Sequence, residues 1–348
     1  MTSRTIRITV SAIVALLLAA SIVGGFIMTD RALLPNGRSR DLEQMKAKWE
    51  KRVPGLMQWY DSLKVAGIFR DTVITAPDGV ALHAVYAPAV SSQPTALPAG
   101  QTAFQSSAGQ TALQPSDGTT AAAAGTAVLV HGYTDNHLSM VQVARLYRDS
   151  LNFNVLLVDN RYHGLSGGDH IQMGWKDRFD LKLWLPVSHD IFGNDFTVVH
   201  GISMGGAATM MLSGEPDLPA YVRAFIDDCG YSSVWDQFKF ILKTEYHLPV
   251  FPILPVADLI CKLRYGWGFK EASSVDQLRK STAPVFFIHG HEDDYVPTEN
   301  VVRCYNAKVD GFKDIWLTPS TIHARSCIDQ PAEYAARVGS FLSLVKEL

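Results

Sequence analysis

The sequence contains few cysteines and no closely spaced pair of them. None of the four forms a C-x-x-C motif, the usual source of zinc ligands in a short segment; they are Cys229, Cys261, Cys304 and Cys327. This spacing argues against a zinc site, and we predict neither a metal nor another cofactor. It leaves open whether the thiols are free and buried or form one or two disulfides.

The chain also lacks an excess of charge of either sign. Its 348 residues include 31 Lys and Arg and 34 Asp and Glu, for a net charge of −3. A nucleic-acid-binding protein would be expected to carry a basic face, so this balance argues against such a partner. The length and a hydrophobic content of 47% fit one large α/β domain or two small ones.

The N-terminal segment carries a long apolar run. It extends from Ile8 to Met28, behind Arg4 and Arg7, and as a helix it would span roughly 30 Å, the thickness of a bilayer core. Because a cleaved signal has a shorter apolar region, we predict an uncleaved signal anchor over residues 1–30. A cleaved signal is the alternative. This hypothesis predicts a single-pass membrane protein that has the membrane as a partner through this helix, and whose remaining residues lie outside the cytoplasm.

Two further segments differ from the rest of the chain in composition. Residues 31–70 include a charged helical stretch, 39–52, with one apolar face, which we interpret as a stalk or docking helix. Residues 89–125 are mainly small and polar, with one acidic residue and no basic one. So little apolar mass cannot offset the entropy lost on ordering, and we predict a disordered insertion there.

Short apolar strands alternate with amphipathic helices over the remaining domain, residues 71–348. This alternation indicates a mostly parallel sheet covered by helices, with active-site groups at the carboxyl ends of its strands. The predicted strands are 73–75, 81–86, 126–130, 153–158, 196–199, 224–226, 285–288 and 315–317. The predicted helices are 138–151, 175–185 and 332–345.

The alternation breaks between residues 232 and 270. Trp235, Phe238 and Leu242 share one helical face there, and an aromatic-rich stretch follows at 265–269. We predict a small helical cap over the site, with extra core as the alternative.

The stretch from residue 196 to residue 212 is typical of a nucleophile elbow, in which a strand runs into G-x-S-x-G and a helix follows. The turn would hold Ser203 in a strained conformation that exposes its hydroxyl. A Cβ at Gly201 or Gly205 would collide across so tight a turn. A second G-x-S-x-G, around Ser166, has no strand entering it directly and no helix leaving it. We therefore interpret that stretch as a loop and assign the nucleophile to Ser203.

A serine nucleophile needs a base, and the chain order in elbow-type hydrolases is serine, acid, histidine. Of the eleven histidines, His323 alone lies beyond the last plausible acid, so it is the predicted base. The candidates for the acid all follow an apolar strand: Glu292, Asp293 and Asp294 in one loop, or Asp227 and Asp228 in another. Two backbone N–H groups, those of Tyr133 and Met204, are expected to hold the oxyanion.

Several motifs occur together and resemble those of bacterial α/β-hydrolases. They are residues 131–136, 159–166, 173–178, 201–205, 228–231 and 289–297. The branch they resemble is membrane-anchored, serine aminopeptidase-like and lysophospholipase-like, and the resemblance covers about residues 55–348 apart from the insertion. Tyr162 departs from it, because many relatives have glycine there, and this puts the local loop shape in question.

The resemblance implies an α/β-hydrolase fold. Together with the patterns above, we therefore expect a mostly parallel central sheet with flanking helices, a small helical cap and one N-terminal transmembrane helix. The resemblance also implies a catalytic triad of Ser203, Asp293 and His323. The first functional hypothesis is a serine hydrolase that cleaves a small-molecule acyl ester through an acyl-enzyme. The alternatives are a peptidase or amidase with the same triad, and a catalytically silent binding protein anchored at the membrane.

Overall fold

The computed structural model describes residues 3–35, 40–90 and 122–348. Most of the predicted insertion, residues 91–121, lies outside the described residues, as does the start of the predicted stalk or docking helix at Ser39. The described chain is built around one eight-stranded sheet flanked by helices.

Every strand predicted from the sequence is present in that sheet. The strands are β1 (Arg70–Thr75), β2 (Ala81–Ala87), β3 (Gly125–Val130), β4 (Phe153–Val158), β5 (Thr197–Ile202), β6 (Val222–Asp228), β7 (Val285–Gly290) and β8 (Lys313–Thr318). Their order across the sheet is β1-β2-β4-β3-β5-β6-β7-β8. β2 is antiparallel to β1 and β4, and the other neighbouring pairs are parallel. The predicted mostly parallel sheet is thus confirmed.

Helices cover both faces of the sheet. They are α1 (Ser3–Leu33), α2 (Leu42–Arg52), α3 (Leu56–Val65), α4 (Val141–Arg145), α5 (Asp177–Phe192), α6 (Met204–Ser213), α7 (Val234–Thr244), α8 (Val250–Tyr265), α9 (Ser274–Leu278), α10 (Glu299–Ala307), α11 (Ser326–Asp329) and α12 (Pro331–Glu347). Successive side chains of β4 show why both faces are apolar. Val155 and Leu157 join the core under α12, whereas Leu156 and Val158 join the core under α5.

Two predicted helices differ from the observed ones. The predicted helix 138–151 is a 3-10 turn (His137–Met140), then α4, then a π-helical segment (Leu146–Ser150). The predicted helix 175–185 continues to Phe192 through Pro186. Trp184 and Leu185 of α5 are fully buried on the sheet, so tertiary packing outweighs the local cost of the proline.

The prediction of a membrane-spanning helix in residues 1–30, and with it the single-pass membrane location, is wrong. Among the described residues, no helix combines the length and the apolar character that crossing a bilayer requires. The second half of α1 packs on α8 instead. Thr29 is fully buried, and a Cβ at Gly25 would meet Val256 and Ile260 at 2.7 and 3.1 Å. Small residues here permit contact between two helices of the same protein.

The other open questions from the sequence have direct answers. The four cysteines are free and buried. The apolar face of α2, formed by Met45 and Trp49, is buried in the same core as Leu56 and Tyr60, so this segment docks on the domain. α7 and α8, which we call the cap below, share a further core that includes Phe238, Leu254, Phe269 and, from the helix after the elbow, Met204 and Met211.

Candidate active site

Three loops at the carboxyl ends of parallel strands bring the predicted triad residues together. Ser203 follows β5, Asp293 follows β7 and His323 follows β8. Nε2 of His323 lies 2.9 Å from Oγ of Ser203, and Nδ1 lies 2.7 Å from Oδ2 of Asp293. The three side chains therefore form one continuous hydrogen-bonded chain, although 120 and 30 residues separate the bonded pairs along the sequence.

The turn at Ser203 has the strained geometry that the sequence predicts. Ser203 has φ 57° and ψ −117°, a left-handed conformation that costs a non-glycine residue about 1–3 kcal/mol. Its N–H donates to the carbonyl of Asp228, 2.8 Å away. A Cβ on Gly201 would overlap the carbonyl of Gly205, and a Cβ on Gly205 would overlap that of Val130. Glycines at these two positions allow the strand and the helix to meet at so sharp a turn.

Asp293 is a buried carboxylate that accepts hydrogen bonds from several N–H groups. Oδ1 accepts from the backbone of Tyr295 and Val296, at 3.0 and 2.8 Å, and Oδ2 faces His323. Burial alone would raise the pKa of Asp293, but hydrogen bonds from His289 and His323 and from the Val296 N–H lower it to about 2. Asp293 is therefore ionised at neutral pH, so it can orient the Nδ1–H of His323 and stabilise an imidazolium.

The rival acids have other partners. Oδ2 of Asp228 accepts from the hydroxyl of Tyr334 at 2.9 Å, and Oδ1 of Asp227 accepts from the N–H of Gly230 at 2.9 Å. Burial raises the pKa of Asp227 to about 7 and that of Asp228 to about 6. Glu292 and Asp294, the neighbours of Asp293, are exposed. Asp293 is thus the carboxylate that the structure brings to His323.

The backbone around Tyr133 and Met204 lies where an oxyanion hole is predicted. A Cβ at Gly132 would lie 3.3 Å from Cβ of Ser203, so the loop after β3 passes directly beside the serine. Within the described chain, neither the Tyr133 nor the Met204 N–H donates to a protein acceptor. His131 is structural: its Nδ1–H donates to Gly132 O at 2.7 Å, and its Nε2 accepts from the Asn160 N–H at 3.0 Å.

The second G-x-S-x-G stretch is a loop, as predicted, and its serine holds the loop together. The buried hydroxyl of Ser166 donates to the carbonyl of Asp159 at 2.7 Å and accepts the N–H of His83 at 2.8 Å. Tyr162, in the same loop, has φ 64°. A left-handed conformation favours glycine, which is the residue that the resembled motif carries at this position. Here the loop forms with tyrosine in that conformation.

Ser203 lies on the wall of a cavity of about 170 Å³. The other walls come from the cap and from neighbouring loops, and they are mainly apolar; they include Met173, Phe238, Leu254, Phe269 and Val296. Two charged residues, Arg31 and Glu245, also line it. A reacting group beside Ser203 would thus be surrounded mainly, but not entirely, by apolar side chains.

In the part of the chain that the structure describes, two groups of side chains have the donor atoms that a metal ion needs. One is His83, His137 and Asp159, and the other is Cys229 with Asp293 and His323. In the first group both carboxylate oxygens of Asp159 already accept hydrogen bonds. Oδ2 accepts from Nδ1–H of His83 and Oδ1 accepts from the backbone N–H of His137, each at 2.8 Å. These bonds account for the first group without an ion.

The loop before α5 supports one wall of the cavity through a buried acid. The carbonyl of Met173 accepts from the hydroxyl of Tyr231 at 2.8 Å, and the N–H of Gly174 donates to Oδ2 of Asp177 at 2.7 Å. Asp177 is 1% exposed, and within the described chain its Oδ1 has no partner. Burial raises the pKa of Asp177 to about 7.

This acid predicts a pH-dependent stability. An unfolded Asp has a pKa near 3.9, so between about pH 4 and pH 7 the folded chain keeps a proton that the unfolded chain has released. The contribution of protonated Asp177 to the free energy of unfolding is fully present below about pH 4 and is lost as pH rises to 7. The Asp177→Asn variant keeps an acceptor for the N–H of Gly174 but has no proton to lose. We therefore expect its free energy of unfolding to fall with pH less steeply than that of the wild type, and the two slopes to differ by about 1 kcal/mol per pH unit.

Urea unfolding at pH 5, 6 and 7 measures this difference. Asp190→Asn, an exposed position on the same helix, controls for the loss of one negative charge. Equal slopes for the wild type and Asp177→Asn would contradict the assignment.

Two contacts at the site escape prediction from the sequence. Nε2 of His289 lies 2.8 Å from Val296 O and 3.3 Å from Oδ2 of Asp293, so Asp293 faces two imidazoles. Lys48 of α2 forms a 2.7 Å ion pair with Asp135, in the loop that carries Tyr133. The His-Gly-x-x-Asp motif contains His289, but its spacing does not tell which way the ring faces. Nothing in the sequence signals the Lys48 contact.

Comparison with known proteins yields likenesses in sequence and in fold, although no protein-family model matches the chain. The uncharacterized protein YqkD of Bacillus subtilis is 33% identical over 218 residues, which cover 62% of this chain and 70% of that protein. The Pyrococcus furiosus esterase Pf2001 matches with a TM-score of 0.58 and 21% identity, over 81% of this chain and 94% of that one. An acylaminoacyl peptidase matches with a TM-score of 0.52 and 17% identity, over 80% of this chain and 41% of that one. The two structural likenesses establish a shared fold.

Proposed function

Because the chain belongs to the α/β-hydrolase superfamily, we propose that it is a serine hydrolase that cleaves carboxylic esters through an acyl-enzyme intermediate. The observation that carries this proposal is the hydrogen-bonded chain from Ser203 through His323 to Asp293. It lies beside a mainly apolar cavity and beside the backbone N–H groups of Tyr133 and Met204, which donate to no acceptor among the residues that the structure describes.

In the proposed reaction, Oγ of Ser203 attacks the ester carbonyl and its proton passes to Nε2 of His323. Asp293 stabilises the imidazolium, and the Tyr133 and Met204 N–H groups donate to the oxyanion. When the tetrahedral intermediate collapses, the imidazolium gives its proton to the leaving alcohol. In the second half of the reaction, water attacks the acyl carbonyl while Nε2 of His323 takes its proton. The imidazolium then returns this proton to Oγ of Ser203, and the carboxylic acid leaves.

Amide or peptide hydrolysis by the same residues is the second candidate. The carboxylate of Glu245 on the cavity wall favours it, because a carboxylate there would attract a substrate ammonium group. Arg31 lines the same cavity and would oppose that attraction. The mainly apolar lining favours an acyl ester without a charged amine.

A matched pair of substrates tests the proposal. We expect the full-length protein to hydrolyse p-nitrophenyl butanoate, and to hydrolyse the corresponding p-nitroanilide far more slowly. A fluorophosphonate probe should label the folded protein at Ser203, with heat-denatured protein as the control and peptide mass spectrometry as the readout. Faster anilide hydrolysis would favour the amidase. A folded protein that never labels would favour a binding protein and reject the proposal.

A further inference from the structure

The end of α1 is part of the cavity that contains Ser203. Met28 and Ala32 line this cavity together with the cap residues Phe238 and Leu254. Both α1 residues also pack against the buried core of the cap. The N-terminal helix therefore supplies one wall of the space in which the substrate of the proposed reaction would sit.

Contacts from three directions fix this wall in place. The N–H of Ile171 donates to the carbonyl of Leu33 at 2.9 Å, and the hydroxyl of Tyr133 donates to the carbonyl of Ala32 at 2.9 Å. The hydroxyl of Thr29 lies 3.3 Å from the carbonyl of Ala257 in α8. Leu33 and Thr29 are fully buried.

An ion pair between Asp30 and Arg264 adds a further link between α1 and the end of α8. Both side chains are partly exposed, so the pair contributes little stability on its own. Together with the buried contacts, it fixes the position of α1 against the cap. Met28 and Ala32 are thus held at a set distance from the opposite wall.

The size of the cavity limits what it can hold. An apolar protein cavity of about 150 Å³ admits one benzene molecule, and this one measures about 170 Å³. It therefore fits a compact apolar group, either a short acyl chain or a single aromatic ring. A longer chain would have to displace side chains of the wall or extend out through the open side of the cavity.

We propose that the last turns of α1 determine the acyl specificity of the enzyme, and that Met28 and Ala32 set the largest acyl group it accepts. The substrates are esters of short-chain or single-ring acids. This inference rests on the proposed ester hydrolysis at Ser203. It adds a specificity role to a helix that contributes no group to the reaction itself.

Two substitutions in full-length protein change the cavity in opposite directions. Met28→Ala enlarges it and Ala32→Leu fills it, and the readout is the ratio of kcat/KM for p-nitrophenyl decanoate to that for the butanoate. Since each buried methylene is worth about fourfold, we expect the ratio to rise about tenfold in Met28→Ala and to fall about tenfold in Ala32→Leu. Ile27→Ala is the matched control, because Ile27 is adjacent to Met28 but 57% exposed; its ratio should stay that of the wild type.

Fluorophosphonate labelling of Ser203 separates this inference from the proposed function. If the wild type labels and hydrolyses esters but Met28→Ala leaves the chain-length ratio unchanged, the role of α1 is rejected and the hydrolase remains. If the wild type neither labels nor hydrolyses, the proposed function itself fails. Thermal unfolding checks that each variant is folded, and Met28→Ala decides the question if the bulkier Ala32→Leu is not.

Discussion

Ser203→Ala is expected to lower kcat for p-nitrophenyl butanoate by about four to six orders of magnitude, with little change in KM. The substitution removes the Oγ that lies 2.9 Å from Nε2 of His323, so no acyl-enzyme can form. Alanine leaves the cavity and the backbone N–H groups in place, and binding should therefore persist. Steady-state kinetics and the loss of fluorophosphonate labelling measure the effect.

Ser166→Ala is the matched control, because Ser166 is the serine of the other G-x-S-x-G stretch. Its buried hydroxyl bonds to Asp159 and His83 within the loop. Losing these bonds should cost about 1–2 kcal/mol of stability and leave kcat close to that of the wild type. If Ser203→Ala keeps full activity while Ser166→Ala is inactive, the nucleophile has been assigned to the wrong motif.

Asp293→Asn should lower kcat by about 10⁴-fold because it reverses the polarity of the bond to His323. The backbone N–H groups of Tyr295 and Val296 donate to Oδ1, so the asparagine carbonyl must take that position. Its NH2 group then replaces Oδ2, 2.7 Å from Nδ1 of His323. The histidine is forced into the tautomer that carries its proton on Nε2, where it cannot accept the proton of Ser203.

Asp294→Asn, one residue further and exposed, controls for the loss of a charge in the same loop and should behave as the wild type. Steady-state kinetics from pH 5 to pH 9 would compare the two variants. A further variant, Asp228→Asn, addresses the rival acid. Loss of activity in Asp228→Asn together with wild-type rates in Asp293→Asn would show that the assignment of the acid is wrong.

The arrangement around Ser203 could be predicted because each part of it follows from a local pattern and one topological rule. Apolar runs identify the strands, and parallel strands place their carboxyl ends at one edge of a sheet. The residues after β5, β7 and β8 therefore had to converge. Composition could not choose among Glu292, Asp293 and Asp294. In the structure, burial distinguishes them, since Asp293 is 6% exposed and its neighbours are exposed.

The position of α1 could not be predicted in the same way. An apolar helix has the same sequence signature whether lipid or another helix covers it, and the small residues of this run are compatible with both. Whether lipid or protein covers the helix depends on the presence of a complementary surface elsewhere in the fold. Here that surface is α8, which lies more than 200 residues away along the chain. The π-helical segment after α4 and the continuation of α5 through Pro186 were missed for a related reason, because packing on the sheet overrides local propensity.

The placement of α1 bears on how the protein can be divided. A shortened variant beginning after Leu33 would leave Leu254 and Ala257 of the cap without their neighbours and would open one side of the substrate cavity to water. The N-terminal helix and the sheet domain thus form one structural unit, and a variant trimmed to residues 34–348 would report on the proposed reaction at Ser203 but would misreport its selectivity.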